Sequence, residues 1–195
     1  MNIPNFLTLL RIVLAPVFMF FFLLESFPMK ALGLGLFVFA ALTDLADGYY
    51  ARKRGVITGF GKFMDPLADK ILVSSALISF TALRYVDPIP VALIIGREFL
   101  ITGLRLVAAY KSVIIPPTLG AKIKTFLQMW VVGLVLAYVV SVSAIEYYGV
   151  SPSPLAGFDA VLYTNWMMWV TAVVTVWTGI DYIIKYYAMV RSVLR

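Results

Sequence analysis

The sequence predicts an all-α, polytopic membrane protein of six transmembrane helices with both termini cytoplasmic. Three observations carry that expectation. Hydrophobic residues make up 62% of the chain and charged ones 13%, against about 25% charged in soluble domains. Six mostly apolar runs each approach or exceed the roughly 20 residues that a spanning helix requires. Runs such as Phe18–Leu24 and Val131–Val140 show no polar alternation, which excludes the roughly 10-residue alternating strands of a membrane barrel.

The first run, Phe6–Leu24, follows a start with no Lys or Arg in residues 1–5. It lacks the basic lead of a signal peptide and exceeds a typical signal core, so this helix is expected to be retained. The second run is Ala31–Ala51. The third, Pro66–Val86, opens on a proline, which a helix tolerates in its first turn. Pro88–Tyr110 and Leu119–Ser143 follow. The last, Ala160–Tyr187, carries Trp166, Trp169 and Trp177, whose rings suit a membrane interface or a partner subunit. Gly149–Gly157 has the composition of a loop, and the other connections are short. Residues 1–195 therefore read as a single membrane domain without internal repeats or a soluble part.

Basic residues set the orientation. With both ends in the cytoplasm, Lys30 and Arg84 fall outside and the other 14 of 16 Lys and Arg lie toward the cytoplasmic ends of the helices, as the positive-inside rule requires. Glu25, Asp87, Glu146 and Asp159 fall outside. The net charge of +6 is spread over helix ends, a pattern suited to anionic lipid headgroups and phosphate-bearing substrates and not to nucleic acid. The chain contains no cysteine and no histidine. Disulfides and His-containing zinc sites are excluded, and proton transfer falls to carboxylates, Lys or Tyr.

Against this apolar background stands one polar pattern, Asp-x2-Asp-Gly-x2-Ala-Arg-x8-Gly-x3-Asp-x3-Asp, formed by Asp44, Asp47, Gly48, Ala51, Arg52, Gly61, Asp65 and Asp69. Eight fixed residue types at frequencies of about 5–8% coincide by chance on the order of once in 10⁹ start positions. Intramembrane carboxylates are costly and mark function by default. Positions 44, 47, 48 and 51 share one helical face, and Gly48 and Ala51 let a backbone or ligand come close. Asp65 and Asp69 share a face one turn apart. The glycines of Lys53–Phe63 can turn the chain so that two carboxylate pairs face each other.

Hard oxygen donors of this kind suit Mg²⁺ or Mn²⁺ better than zinc, and a pair of such ions is an established device for phosphoryl-type transfer. The competing reading of any single aspartate is charge neutralisation, as in Asp47 with Arg52 or Asp69 with Lys70. A divalent-cation transporter would also place aspartates among helices. It would continue its polar residues through the bilayer and repeat them in matching halves, whereas here they cluster at one side.

The pattern resembles the motif of the CDP-alcohol phosphatidyltransferases, membrane enzymes of six transmembrane helices, and all eight positions match. The resemblance implies attack of an alcohol on the phosphatidyl phosphorus of CDP-diacylglycerol with release of CMP. It further implies that Asp44, Asp47, Asp65 and Asp69 bind two divalent cations, that Asp69 accepts the alcohol's proton, and that Gly48, Arg52, Thr58 and Gly61 contact the CDP-lipid. Asn5, Thr8 and Arg11 lie on one helical face and resemble the family's N-terminal nucleotide-side segment, although a lone Arg near a helix start can also snorkel to the interface.

The acceptor is read from cations in the later helices. Arg97 and Arg105 share a face of the fourth, with Glu98 placed to orient one of them, and Lys122 and Lys124 open the fifth. Lys at these ends also satisfies the positive-inside rule with no ligand. These segments, Asp65-Pro-Leu-Ala-Asp-Lys-Ile-Leu72 and Asn2-Ile-Pro-Asn5 resemble those of bacterial phosphatidylglycerophosphate synthases. That implies glycerol 3-phosphate as acceptor, its phosphate held by Arg105, Lys122, Lys124 and Arg97. Inositol phosphate, serine or phosphatidylglycerol would use the same chemistry. The resemblance also implies a homodimer in a bacterial inner membrane, with the active site facing the cytoplasm.

Overall fold

A computed structural model describes residues 3–54, 59–111, 116, 118–150 and 159–187, of which 3–4, 45–54 and 59–63 are described as backbone alone. The described residues form six helices and no strand: α1 (Ile3–Leu23), α2 (Phe27–Arg54), α3 (Gly59–Ala82), α4 (Pro88–Tyr110), α5 (Leu119–Tyr147) and α6 (Ala160–Lys185). Four of them, α1, α2, α5 and α6, contain stretches long and apolar enough to cross a membrane. In α3 and α4 the apolar run is broken by Asp65, Asp69 and Lys70 and by Arg97, Glu98 and Arg105. The outward faces carry exposed Val13, Phe20, Leu100, Trp130 and Val173, as expected where lipid replaces water. The chain is a polytopic, all-helical membrane protein.

Local chemistry sets the helix ends. Pro88 starts α4 in the first turn behind Asp87, where its missing N–H costs nothing. Thr118 caps α5 by accepting from the backbone N–H of Ala121 at 3.2 Å, and Asp159 caps α6 by accepting from Leu162 at 3.0 Å. Both α3 and α5 end in a residue of left-handed conformation, Arg84 (φ 61°) and Gly149 (φ 63°).

Several expected helix ends shift by three or four residues, and the start of α3 by seven. Helix α3 begins at Gly59, and Pro66 lies inside it, not in its first turn. A proline in a helix interior forfeits one backbone hydrogen bond, at a cost of about 3 kcal/mol, but tertiary packing overrides such local preferences. Asp65 and Asp69 therefore sit about two and three turns into α3 instead of opening it. The segment expected to turn the chain, Lys53–Phe63, is helical at both of its ends, and residues 55–58 lie outside the described residues.

Helices α2 and α3 pack chiefly on α1 and touch each other little; α4 packs on α6 and α3, and α5 on α6 and α2. An aromatic cluster locks α1, α2 and α3 at one end of the molecule. Phe18 stacks within 5.4 Å of Phe22 and 5.2 Å of Phe37, and Phe22 lies 6.4 Å from Phe80. All four rings are buried. Phe22 and Phe80 lie near the C-terminal ends of α1 and α3, which leaves the opposite ends of these helices for polar side chains.

Candidate active site

Helix α1 holds two of the motif carboxylates, one on α2 and one on α3. Thr8 and Arg11, one turn apart, are fully buried. The Thr8 hydroxyl donates to Asp65 Oδ1 on α3, and the Arg11 guanidinium donates to Asp44 Oδ1 on α2. Arg11 thus turns inward instead of snorkelling to the interface, because an intramembrane carboxylate is a better partner for a buried cation than lipid. Asn5 lies half-buried one turn before Thr8. Asp44 is within electrostatic reach of both Asp65 and Asp69, so the three described motif carboxylates occupy one neighbourhood. Asp47, Gly48, Arg52 and Gly61 lie on helical backbone whose side chains are outside the described ones, and Thr58 is outside the described residues altogether.

A cavity of about 330 Å³ opens beside these groups, lined by Arg11, Asp44, Asp69, Lys70, Thr125 and Gln128 over an apolar wall of Ala41, Leu72, Val73 and Met129. It therefore draws on α1, α2, α3 and α5. A larger cavity, about 480 Å³, lies between Asp87 and the start of α6. That is the other end of α3 from Asp65 and Asp69, and no motif residue lines it.

A second ionic cluster sits behind the first. Lys70 Nζ lies 2.9 Å from Asp69 Oδ2 and 3.0 Å from Glu98 Oε2. Arg97 Nη1 donates to Glu98 Oε1 at 2.9 Å, and Lys124 donates to the same oxygen. Arg97 also donates through Nη2 to Thr178 Oγ1 at 3.2 Å. Gly179 makes room for this arginine, since a Cβ there would fall 3.1 Å from Arg97 Cγ and Nε.

The four cations expected to hold an acceptor phosphate are not brought together. Arg97 and Lys124 meet at Glu98, whereas Lys122 and Arg105 are exposed, Arg105 within electrostatic reach of Tyr182 on α6. The cations that line the cavity are Arg11 and Lys70. From sequence alone Lys70 reads only as a charge partner of Asp69, and Glu98 only as a partner for an arginine. The available signal was Glu98 itself, a lone carboxylate in the apolar run of α4.

The residues fit divalent metal by donor chemistry: Asp44, Asp65 and Asp69 offer hard oxygen atoms and crowd like charge that cations would relieve. Among the described residues no three such side chains are close enough to hold an ion together. Each is instead held by Arg11, Thr8 or Lys70.

Residues 1–177 match the family model of the CDP-alcohol phosphatidyltransferases. A Rickettsia typhi protein named CDP-diacylglycerol–glycerol-3-phosphate 3-phosphatidyltransferase is 39% identical over 181 residues, covering 93% of this chain and 94% of that one. The Bacillus subtilis protein of the same name is 38% identical over 203 residues, covering 98% of both chains. That of Cereibacter sphaeroides is 33% identical over 211 residues, covering 94% of this chain and 95% of the relative. With Asp44 and Asp69 of the motif lining one cavity and the similarity running nearly end to end, the chain belongs to the CDP-alcohol phosphatidyltransferase family.

Proposed function

We propose that this protein transfers the phosphatidyl group of CDP-diacylglycerol to the 1-hydroxyl of sn-glycerol 3-phosphate, giving phosphatidylglycerophosphate and CMP. The observation that carries the reading is the convergence of Asp44, Asp69, Arg11 and Lys70 on one cavity in a membrane protein, in a chain similar along almost its whole length to relatives named for this reaction.

Two divalent cations, Mg²⁺ or Mn²⁺, held by Asp44, Asp47, Asp65 and Asp69, would supply charge withdrawal from the reacting phosphorus. The protein's own groups do the rest. Thr8 and Arg11 fix the carboxylates of Asp65 and Asp44, which limits reorganisation during the reaction. The diacylglycerol tails stay in the bilayer while the polar headgroup enters the cavity, with Gly48, Arg52, Thr58 and Gly61 on its nucleotide side. Asp69 accepts the proton of the acceptor's 1-hydroxyl as its oxygen forms the new P–O bond. The bond from that phosphorus to the bridging oxygen breaks, and CMP leaves with the electron pair. The acceptor's 3-phosphate is drawn by Lys70 at the cavity, with Lys124 and Arg97 behind it on Glu98 and with Arg105 and Lys122 exposed on α4 and α5.

The reading places the protein in a bacterial cytoplasmic membrane as a homodimer, active site toward the cytoplasm. Its test is CMP release by purified protein with CDP-diacylglycerol and, separately, glycerol 3-phosphate, inositol phosphate, serine and phosphatidylglycerol, each with and without EDTA. Metal-dependent turnover with glycerol 3-phosphate alone is expected. Turnover with another alcohol instead overturns the acceptor and leaves the carboxylate chemistry standing. The absence of cysteine makes single-cysteine labelling a clean check of sidedness.

A further inference from the structure

We propose that Glu98 is a positioning residue of this active site: its buried carboxylate fixes Lys70 against Asp69 and gathers Lys124 and Arg97 behind the same cavity wall, so that acceptor binding and the proton-accepting carboxylate are coupled through Lys70. The inference rests on the function proposed above.

The geometry is that of a hub. The Glu98 side chain is 6% exposed and that of Lys124 1%. One oxygen, Oε2, faces Lys70 at 3.0 Å, and the other, Oε1, receives Arg97 at 2.9 Å and Lys124. Lys70 continues to Asp69 at 2.9 Å. A single ammonium thus bridges a motif carboxylate on α3 to a carboxylate on α4 that also captures a lysine of α5.

Charge stoichiometry separates this from an ordinary structural ion pair. A pair built for stability matches its charges, because each unmatched buried charge is costly. Here Lys70, Arg97 and Lys124 face Glu98 and Asp69, three cations to two carboxylates. The excess is positive, and Lys70, its outermost member, lines the cavity that an anionic acceptor must enter. Without Glu98 the three cations would repel one another, and the long lysine side chains would regain the freedom that a fixed anion site must suppress. The exposed Lys122 and Arg105 have no such anchor among the ion pairs of the described residues.

The test is steady-state CMP release by the full-length protein with glycerol 3-phosphate and CDP-diacylglycerol, comparing the wild type with Glu98→Gln and Glu98→Asp, alongside thermal unfolding of each. Glu98→Gln is expected to raise the KM for glycerol 3-phosphate at least tenfold and to lower kcat, with the KM for CDP-diacylglycerol within twofold of wild type. Glu98→Asp, which keeps the charge but shortens its reach, is expected to fall between the two, and it decides the matter if the Gln variant does not fold. An acceptor KM within twofold of wild type in the variant that folds overturns the proposal. So does a parallel rise of both KM values with a lowered unfolding temperature, which marks a merely structural role. A wild-type protein inert toward glycerol 3-phosphate overturns the functional reading and this proposal with it; an active wild type with an unaffected Glu98 variant overturns this proposal alone.

Discussion

The Arg11 side chain is 1% exposed, whereas that of Asp44, the carboxylate it donates to, is 45% exposed. The guanidinium is enclosed by the helix packing, while the carboxylate faces the cavity within electrostatic reach of Asp65 and Asp69. Arg11→Met keeps most of the bulk and removes the cation, which leaves the clustered carboxylates to repel one another. In EDTA and without substrate, it is expected to destabilise the protein by about 1–3 kcal/mol, and adding Asp44→Asn, which removes one of the repelling charges, is expected to restore part of that loss. Thermal or denaturant unfolding of the two variants checks the order, and a double variant less stable than Arg11→Met refutes it.

Asp69 is expected to separate binding from chemistry. Its Oδ2 is held by Lys70 at 2.9 Å, while the carboxylate still lines the cavity and can meet a hydroxyl there. Asp69→Asn keeps the shape and removes the proton acceptor, so kcat should fall by about 10²–10⁴-fold, the usual contribution of a general base. The KM for CDP-diacylglycerol should change by only a few-fold. Near-normal turnover would remove Asp69 as the base.

What could be read in advance depended on how local the information was. The six helices follow from apolar run lengths, a property of contiguous sequence, and the observed bounds of α4 coincide with Pro88–Tyr110. The start of α3 was misplaced because the rule for Pro66 is a local preference, and packing overrode it. Asp44, Asp65 and Asp69 were legible from spacing on their own helices. Their partners were not: Thr8 reaches Asp65 across 57 positions and Lys124 reaches Glu98 across 26, and no helical period encodes either. The acceptor cations form a group in sequence because a phosphorylated acceptor needs an anion site and the later helices carry basic residues, whereas the fold sends Arg97 and Lys124 to Glu98 and leaves Lys122 and Arg105 exposed.

Gly33 allows α2 to close against α1. A Cβ at this position would lie 3.0 Å from the backbone nitrogen of Phe22 and 3.1 Å from its Cβ, and neither atom is the end of a flexible side chain. Gly33→Ala must push the two helices apart beside the Phe18–Phe22–Phe37 cluster, at a cost of about 1–3 kcal/mol. Gly35 is the control, because nothing lies within 4 Å of its added Cβ. Gly35→Ala should stabilise α2 by about 0.5–1 kcal/mol through helix propensity alone. Unfolding temperatures that move in opposite directions for the two variants are expected; a shift of the same sign refutes the close-approach reading.

Arg84 and Gly149 end their helices in the same way. At the end of α3 the backbone N–H of Tyr85 bonds to Phe80 O at 3.0 Å and that of Arg84 to Thr81 O at 3.0 Å. At the end of α5, Val150 bonds to Ile145 O at 3.1 Å and Gly149 to Glu146 O at 3.3 Å. Both are six-to-one and five-to-two closures that require a left-handed residue just past the helix. Glycine takes that conformation without penalty, whereas an L side chain pays about 1–2 kcal/mol for its Cβ. Arg84→Gly is therefore expected to raise stability by about 1 kcal/mol, after the entropy that glycine adds to the unfolded chain, and Gly149→Ala to lower it by about the same amount. Equilibrium unfolding of both variants checks the pair. An Arg84→Gly protein no more stable than wild type would mean that the arginine side chain contributes about as much to the fold as its strained backbone costs.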